Sequence, residues 1–373
     1  MRLSPLPLAH LVRSRLARLP VLSRLSRLGP LGRLGPLGPL ALPQVARRSW
    51  QLAPPTDAVT PPAYFLPGQL DRVSGWVFAD EHPRRAMEGH LSLTHGPTRA
   101  HLIEDAWLID GVLYKGAACS HLSPRRGRVP TLHVTAELER AAVYCSAAGN
   151  RWFGMWLMDD CPLYPLARDE GTPVTTQPER PGHARDYERG LGMQPTRLRS
   201  AYLRRLVVFE DVGQNRDKHR RFRAMCDALR AQVEREAGGP AAPHPGVFIL
   251  RGRDGDHRVM RGEQALAEHL HRTRGLRVLD PLTTDVATIL RTCAGARLVI
   301  GVEGSHLIHG ILALEPGAAV VALQPPARFC GLYKDLTDRD GQHFGFVVGR
   351  PRGQDFEVET DEVERTLDLL PGA

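Results

Sequence analysis

From residue 201 onward the apolar positions fall into short runs separated by amphipathic stretches. RLVVFED (205–211), GVFILRG (246–252), LRVLDP (276–281), LVIG (298–301), AVVALQP (319–325) and FGFVVG (344–349) are apolar and β-branched enough to read as strands. Between them, HRRFRAMCDALRAQVERE (219–236) sets Phe222, Met225, Cys226, Leu229 and Val233 on one helical face. GEQALAEHLHRTRG (262–275) and DVATILRTCAGA (285–296) read the same way, and a further helix opens near Ser305. Strands alternating with helices at this spacing predict a doubly wound parallel sheet. In such sheets ligands bind beyond the carboxyl ends of the strands. That rule directs attention to the loops after Phe209, Leu250, Leu279, Ile300 and Leu323.

The first half of the chain is less regular. HLIEDAWLIDGVLYKG (101–116) holds two apolar runs around Asp110-Gly111 and predicts a hairpin. AAVYCSA (141–147) predicts a strand. RWFGMWLMDDCPLYPLA (151–167) predicts a buried helix stopped near Pro162, with Asp159 and Asp160 near its end. Residues 168–198, rich in Pro, Gly, Arg and Glu, predict a loop or linker. The expected organisation is an extension over 1–58, a mixed α/β domain over 59–200 including that linker, and a Rossmann-like domain over 201–373.

Charge changes this picture only at the start. The net charge is +8, but residues 1–56 hold nine arginines and no acid, so the remainder is at about −1. A nucleic-acid footprint on the folded part is therefore not expected. From Leu16 to Leu40 a leucine recurs at every third position. A period of three drifts by about 60° per repeat around a helix of 3.6 residues per turn, so no lasting apolar face forms. Pro20, Pro30, Pro36 and Pro39 break any long helix. Three readings stay open: a low-complexity disordered extension, a leucine- and arginine-based membrane-surface anchor, and an Arg-rich transit-peptide mimic. No apolar run is long enough for a transmembrane helix. Six scattered cysteines without CxxC predict reduced, buried thiols and a cytoplasmic setting; the membrane-anchor reading of the extension would add peripheral contact at the inner membrane.

The loops carry the chemistry. After Leu250 comes RGRDGDHRVMRGE, where Arg251, Arg253 and Arg258 offer guanidinium forks suited to a diphosphate. Asp254 and Asp256 have DxD spacing, but the adjacent arginines disfavour a cation there. After Ile300 comes GVEGSHLIHG. Gly301 and Gly304 would let backbone approach a ligand, and Ser305 could cap the next helix. His306 and His309 share a helical face, yet no third metal ligand stands at a familiar spacing and HExxH is absent. His309 is the better choice for a buried histidine, leaving His306 for phosphate or ribose. After Leu323, Lys334 is one of only three lysines and a candidate for phosphate neutralisation.

The run from ILRGRDGDHRVMRGE through VIGVEGSHLIHG to PGAAVVALQPP resembles the C-terminal half of the family-61 glycosyltransferases, the capsular polysaccharide biosynthesis group. The matching pattern is a strand ending in Arg251, a turn with Arg258, Glu263 opening the next helix, an A-x-x-V-I-G strand and a P-G-A-x-V-V strand. The resemblance covers about 205–350 well and extends more weakly to WFGMWLMDD (152–160). Two positions depart from the common pattern: Glu303 and Met155 stand where histidines are usual. The E-G-S-H-L form is similar to a variant bacterial subgroup. The resemblance implies a GT-B architecture, with two Rossmann-like domains facing a cleft. It implies an inverting enzyme that moves a sugar from a nucleoside-diphosphate sugar to a bacterial surface or capsular glycan. No metal and no other cofactor is required on that reading. Donor contacts would come from Arg251, Arg253, Arg258, Glu263, Glu303, Gly304, Ser305, His306, His309 and Lys334. Asp159 or Asp160 would be the base. The missing histidines leave a second reading, a non-catalytic nucleotide- or glycan-binding protein of a polysaccharide assembly complex.

Overall fold

The structure is a computed structural model that describes residues 2–16, 40–78, 82–124, 133–180, 182–252 and 259–371. The chain divides into two compact units built from interleaved segments. The first comprises 1–54, 97–181 and 192–212; the second comprises 55–96, 182–191 and 213–373. Residues 55–96, grouped by the sequence with the first domain or the extension, thus pack with the second unit, and residues 201–212 with the first.

The second unit carries the parallel sheet the sequence predicts. Its strands are β1 Val247–Ile249, β2 Arg277–Leu279, β3 Leu298–Val302, β4 Ala319–Gln324 and β5 His343–Val348. Their order is β2-β1-β3-β4-β5, with every pairing parallel. All residues of β1, β3 and β4 are buried, which explains their continuous rather than alternating apolar character. Alternation then sorts side chains between the faces. Phe248, Ile300, Val321 and Val347 meet Leu266, Leu270, Val363 and Leu367 from the helices Glu263–Arg274 and Thr360–Leu367. On the other face the helix Leu307–Ala313 lies so close that a Cβ on Gly310 would fall 2.7 Å from a Val299 methyl. The long helix Arg216–Ala237 is opened by Asn215, whose side chain accepts from the N–H groups of Asp217 and Lys218, and is closed by Gly238.

The first unit is built on a mixed sheet. Strands 196–197, 172–175, 137–143 and 201–210 run parallel in that order. An antiparallel meander then follows from Thr98–Ile109 through Val112–Lys115 to Ala118–His121. The hairpin at Asp110-Gly111 forms as expected, with both residues at positive φ (47° and 77°). Only the parallel part has Rossmann character.

Three sequence expectations need correction here. The helix after Arg151 does not stop at Pro162. It passes from Phe153–Met155 through a π-helical turn, Trp156–Asp160, and continues over Cys161–Glu170. The proline sits in the first turn after the π segment, where a missing N–H is tolerated. The 168–198 stretch is not a structureless linker: Thr172–Thr175 pairs with strands on both sides, and His183–Gly190 is a helix. Its β-branched residues and its buried Tyr187 outweigh its proline and charge content. Residues 40–58 are also structured. Arg48–Ala53 pairs with Thr98–Ile109, and Leu42 lies in the core of the first unit. Residues 17–39, which hold nearly all of the leucine repeat, lie outside the described residues. No helix among the described residues is long and apolar enough to cross a membrane. All six cysteines are unbridged, and five are buried.

Candidate active site

In the second unit, β1 and β3 end side by side and release their loops at the same edge. β1 delivers Arg251 and Gly252, whose backbone N–H groups both donate to the Glu263 carboxylate, at 2.7 and 2.9 Å. Glu263 opens its helix behind Gly262 and is buried. Desolvation raises its pKa, and the two backbone N–H donors oppose that rise. Its observed contact is therefore to the turn rather than to solvent. By clamping 251–252 it fixes where the Arg251 side chain begins.

β3 delivers Glu303, Gly304, Ser305 and His306. A Cβ on Gly304 would stand 2.9 Å from His306 Nδ1 and 3.3 Å from Arg251 Cδ, so only glycine lets these two side chains pack over the turn. Arg251, Gly304 and His306 are thereby brought together. Gly301 plays a different part from the one expected: a Cβ there would meet Ile249 O at 2.4 Å, so it serves strand contact. Ser305 does not cap the following helix; the capping position falls on His306, without a side-chain hydrogen bond. Glu303 is buried and receives Arg328 Nη1 at 3.1 Å. Tyr333 donates its hydroxyl to Gly304 O at 2.6 Å.

Two residues of the expected donor set point elsewhere. His309 is buried, shares a hydrogen bond between its Nδ1 and Tyr187 OH at 2.8 Å, and meets the His183 ring edge-on. Burial, reinforced by His183, pushes its pKa down to about 3, so it is a neutral core histidine at ordinary pH. Lys334 is 1 % exposed, and its ammonium donates to Pro61 O and to Asp338 Oδ2, both at 2.6 Å. It ties its helix to the 61 segment. Arg253 and Arg258, with the DxD pair Asp254 and Asp256, lie outside the described residues. Arg328 and Tyr333 were missed by the sequence reading. Arg328 follows β4 by four residues, closer to the strand end than Lys334, and that position was the available signal.

In the first unit the two acids separate. Asp160 is 1 % exposed and sits beyond the carboxyl end of strand 137–143, where its Oδ2 accepts from Ser146 N at 3.2 Å. Desolvation raises its pKa to about 8, against the pull of Ser146 and Arg180. A Cβ on Gly149 would overlap this carboxylate. Asp159 is half-buried on the same turn. Around them Asn150 Nδ2 donates to Leu122 O, Ser123 Oγ and Thr176 Oγ1, while Arg180 donates to the carbonyls of Gly149 and Asn150. These partners lie far apart in sequence, which is why spacing alone did not reveal them. Among the described residues no group of three or more His, Cys, Asp or Glu is placed to hold a metal ion.

The glycosyltransferase 61 family model matches residues 57–321, in line with the family resemblance of the sequence. The chain belongs to glycosyltransferase family 61 and is, on that membership, a glycosyl-transferring enzyme. The matched span takes in Asp159, Asp160, Arg251 and the 303–306 turn, and ends within β4, ahead of Arg328 and Tyr333. No curated protein matches the chain.

Proposed function

We propose that the chain is an inverting, metal-independent glycosyltransferase that moves a hexosyl or pentosyl group from a nucleoside-diphosphate sugar to a bacterial surface or capsular glycan. The GT-B reading assigns the donor to the second unit and the acceptor to the first. The single observation that carries it is the clamped Arg251 turn, where the Arg251 side chain passes over Gly304 beside His306 at the carboxyl edge of an all-parallel sheet. Such a group suits a departing diphosphate. Arg253 and Arg258, next in sequence, add charge to the same loop. Glu303 and His306 serve ribose or phosphate, and the E-G-S-H turn is a variant of the family's usual pattern.

In the transfer step a base takes the proton of an acceptor hydroxyl, whose oxygen bonds to the anomeric carbon as the bond from that carbon to the diphosphate oxygen breaks. We assign the base to Asp159. Asp160, protonated through neutral pH, holds the Ser146 segment in place. A donor panel of UDP-, GDP- and CDP-linked sugars with a glycan acceptor tests the reading: turnover that falls at least a hundredfold in Asp159→Asn supports it. The sequestered Asp160 and the apolar Met155 favour one alternative, a binding protein of a polysaccharide assembly complex. Nucleotide binding by calorimetry without turnover on any donor would select that alternative. The setting we propose is cytoplasmic, with peripheral membrane contact through the N-terminal extension.

A further inference from the structure

Four non-glycine residues among the described ones have positive φ: Phe78, His90, Asp105 and Asp110. Asp and His visit this region readily, whereas a bulky aromatic does so only when its surroundings hold it there. Phe78, at φ 50°, is nevertheless 44 % exposed. Its neighbours show what holds it. The strand Trp76–Val77 pairs in parallel with Phe329–Cys330. Ser74 N donates to Pro326 O at 2.8 Å, and a Cβ on Gly75 would lie 2.4 Å from Ala327 O, so the segment is laid directly on the loop after β4. That loop is itself stapled by Gln324, which exchanges hydrogen bonds with both backbone groups of Cys330. Trp76 and Phe329 pack behind it as a tilted pair, with ring centroids 4.7 Å apart. The result is a rigid ledge at the ligand-binding edge of the sheet. It carries an exposed ring next to Arg328, whose guanidinium lies 6.0 Å from the Phe78 centroid and 3.1 Å from Glu303.

We propose that Phe78 and Arg328 form the platform for the nucleobase of the donor, with Glu303 beside them accepting from ribose hydroxyls. This rests on the nucleotide-sugar reading above. An aromatic face and a guanidinium plane stack on any base, and a carboxylate beside them suits a vicinal diol. Buried packing would not require the ring at the surface, and a plain turn would not require an aromatic at positive φ.

The strain supplies a test that separates binding from folding. Phe78→Gly fits the backbone better than the native residue, so its melting temperature stays equal or rises. Its affinity for nucleoside diphosphate, measured by calorimetry with UDP, GDP, CDP and ADP, falls about tenfold or more. Phe78→Tyr restores that affinity and Phe78→Leu does not, while inorganic pyrophosphate binds all four proteins alike. Equal nucleotide affinity in the wild type and Phe78→Gly overturns the platform. So does a loss seen with the nucleotide sugar but not with the nucleotide alone, which would make the ring a sugar platform. A wild-type protein that binds no nucleoside diphosphate removes the platform together with the reading beneath it, and is distinguishable because it shows before any substitution.

Discussion

The two units place opposite chemistry at the same topological address. Beyond the carboxyl ends of its parallel strands the second unit presents an arginine side chain over a glycine turn. The first unit presents a carboxyl group instead, buried against the Ser146 segment. Their buried titratable groups also oppose each other in pH. Asp160 holds a proton to about pH 8, whereas His309 refuses one until about pH 3. The difference teaches that each half buries a neutral titratable group beside a second polar side chain, half-buried Asp159 in one case and buried Arg251 in the other.

The largest effect expected from breaking this comparison is on the rate. Asp159→Asn lowers kcat by about 10² or more if Asp159 is the base, with little change in melting temperature. A variant at full activity would pass the role to another group.

Next comes pH-dependent stability in the first unit. With its pKa raised from 3.8 to about 8, Asp160 keeps a proton in the folded state that the unfolded chain gives up above about pH 4. Its contribution is full below pH 4 and is lost as pH rises toward 8. Denaturant titrations should show the wild type weakening over that window. Asp160→Asn should flatten the profile by an amount on the order of several kcal/mol. An unchanged slope would mean that the carboxyl group ionises in place.

His309 should behave in the reverse sense. Its pKa is lowered from 6.5, so it stabilises the fold above about pH 6.5 and withdraws that contribution as pH falls toward 3. Removing its partner hydroxyl in Tyr187→Phe should cost about 1 kcal/mol at neutral pH, read from the same titrations. An effect of about the same small size is expected from Gly310→Ala. The added methyl meets Val299 at 2.7 Å and costs about 1–3 kcal/mol by overpacking, against about 1 kcal/mol regained as helix propensity. A stabilised variant would show that the helix can lift off β3 freely.

These contrasts also explain what the sequence could and could not reveal. The parallel strands were legible because β1, β3 and β4 are apolar but for Gln324, and the hairpin because Asp110-Gly111 is a specific turn signal. The arginine turn was legible because it follows a strand. Thr172–Thr175 was not, since a short strand containing Pro173 is decided by the partners on either side of it. Lys334 drew attention by rarity, yet its role comes from Pro61 and Asp338, one of them 273 residues away. Arg328 and Phe78 drew none, because what sets them apart is a pairing across the fold and a backbone angle.

The central claim is that Arg251 holds the departing diphosphate of a nucleotide sugar. Its most direct test is the steady-state kinetics of Arg251→Ala against the wild type on the donor that supports turnover, with melting temperatures recorded in parallel. The account predicts a kcat/KM lowered about a hundredfold or more in a variant that remains folded at the assay temperature. Equal kcat/KM in the two proteins would contradict it.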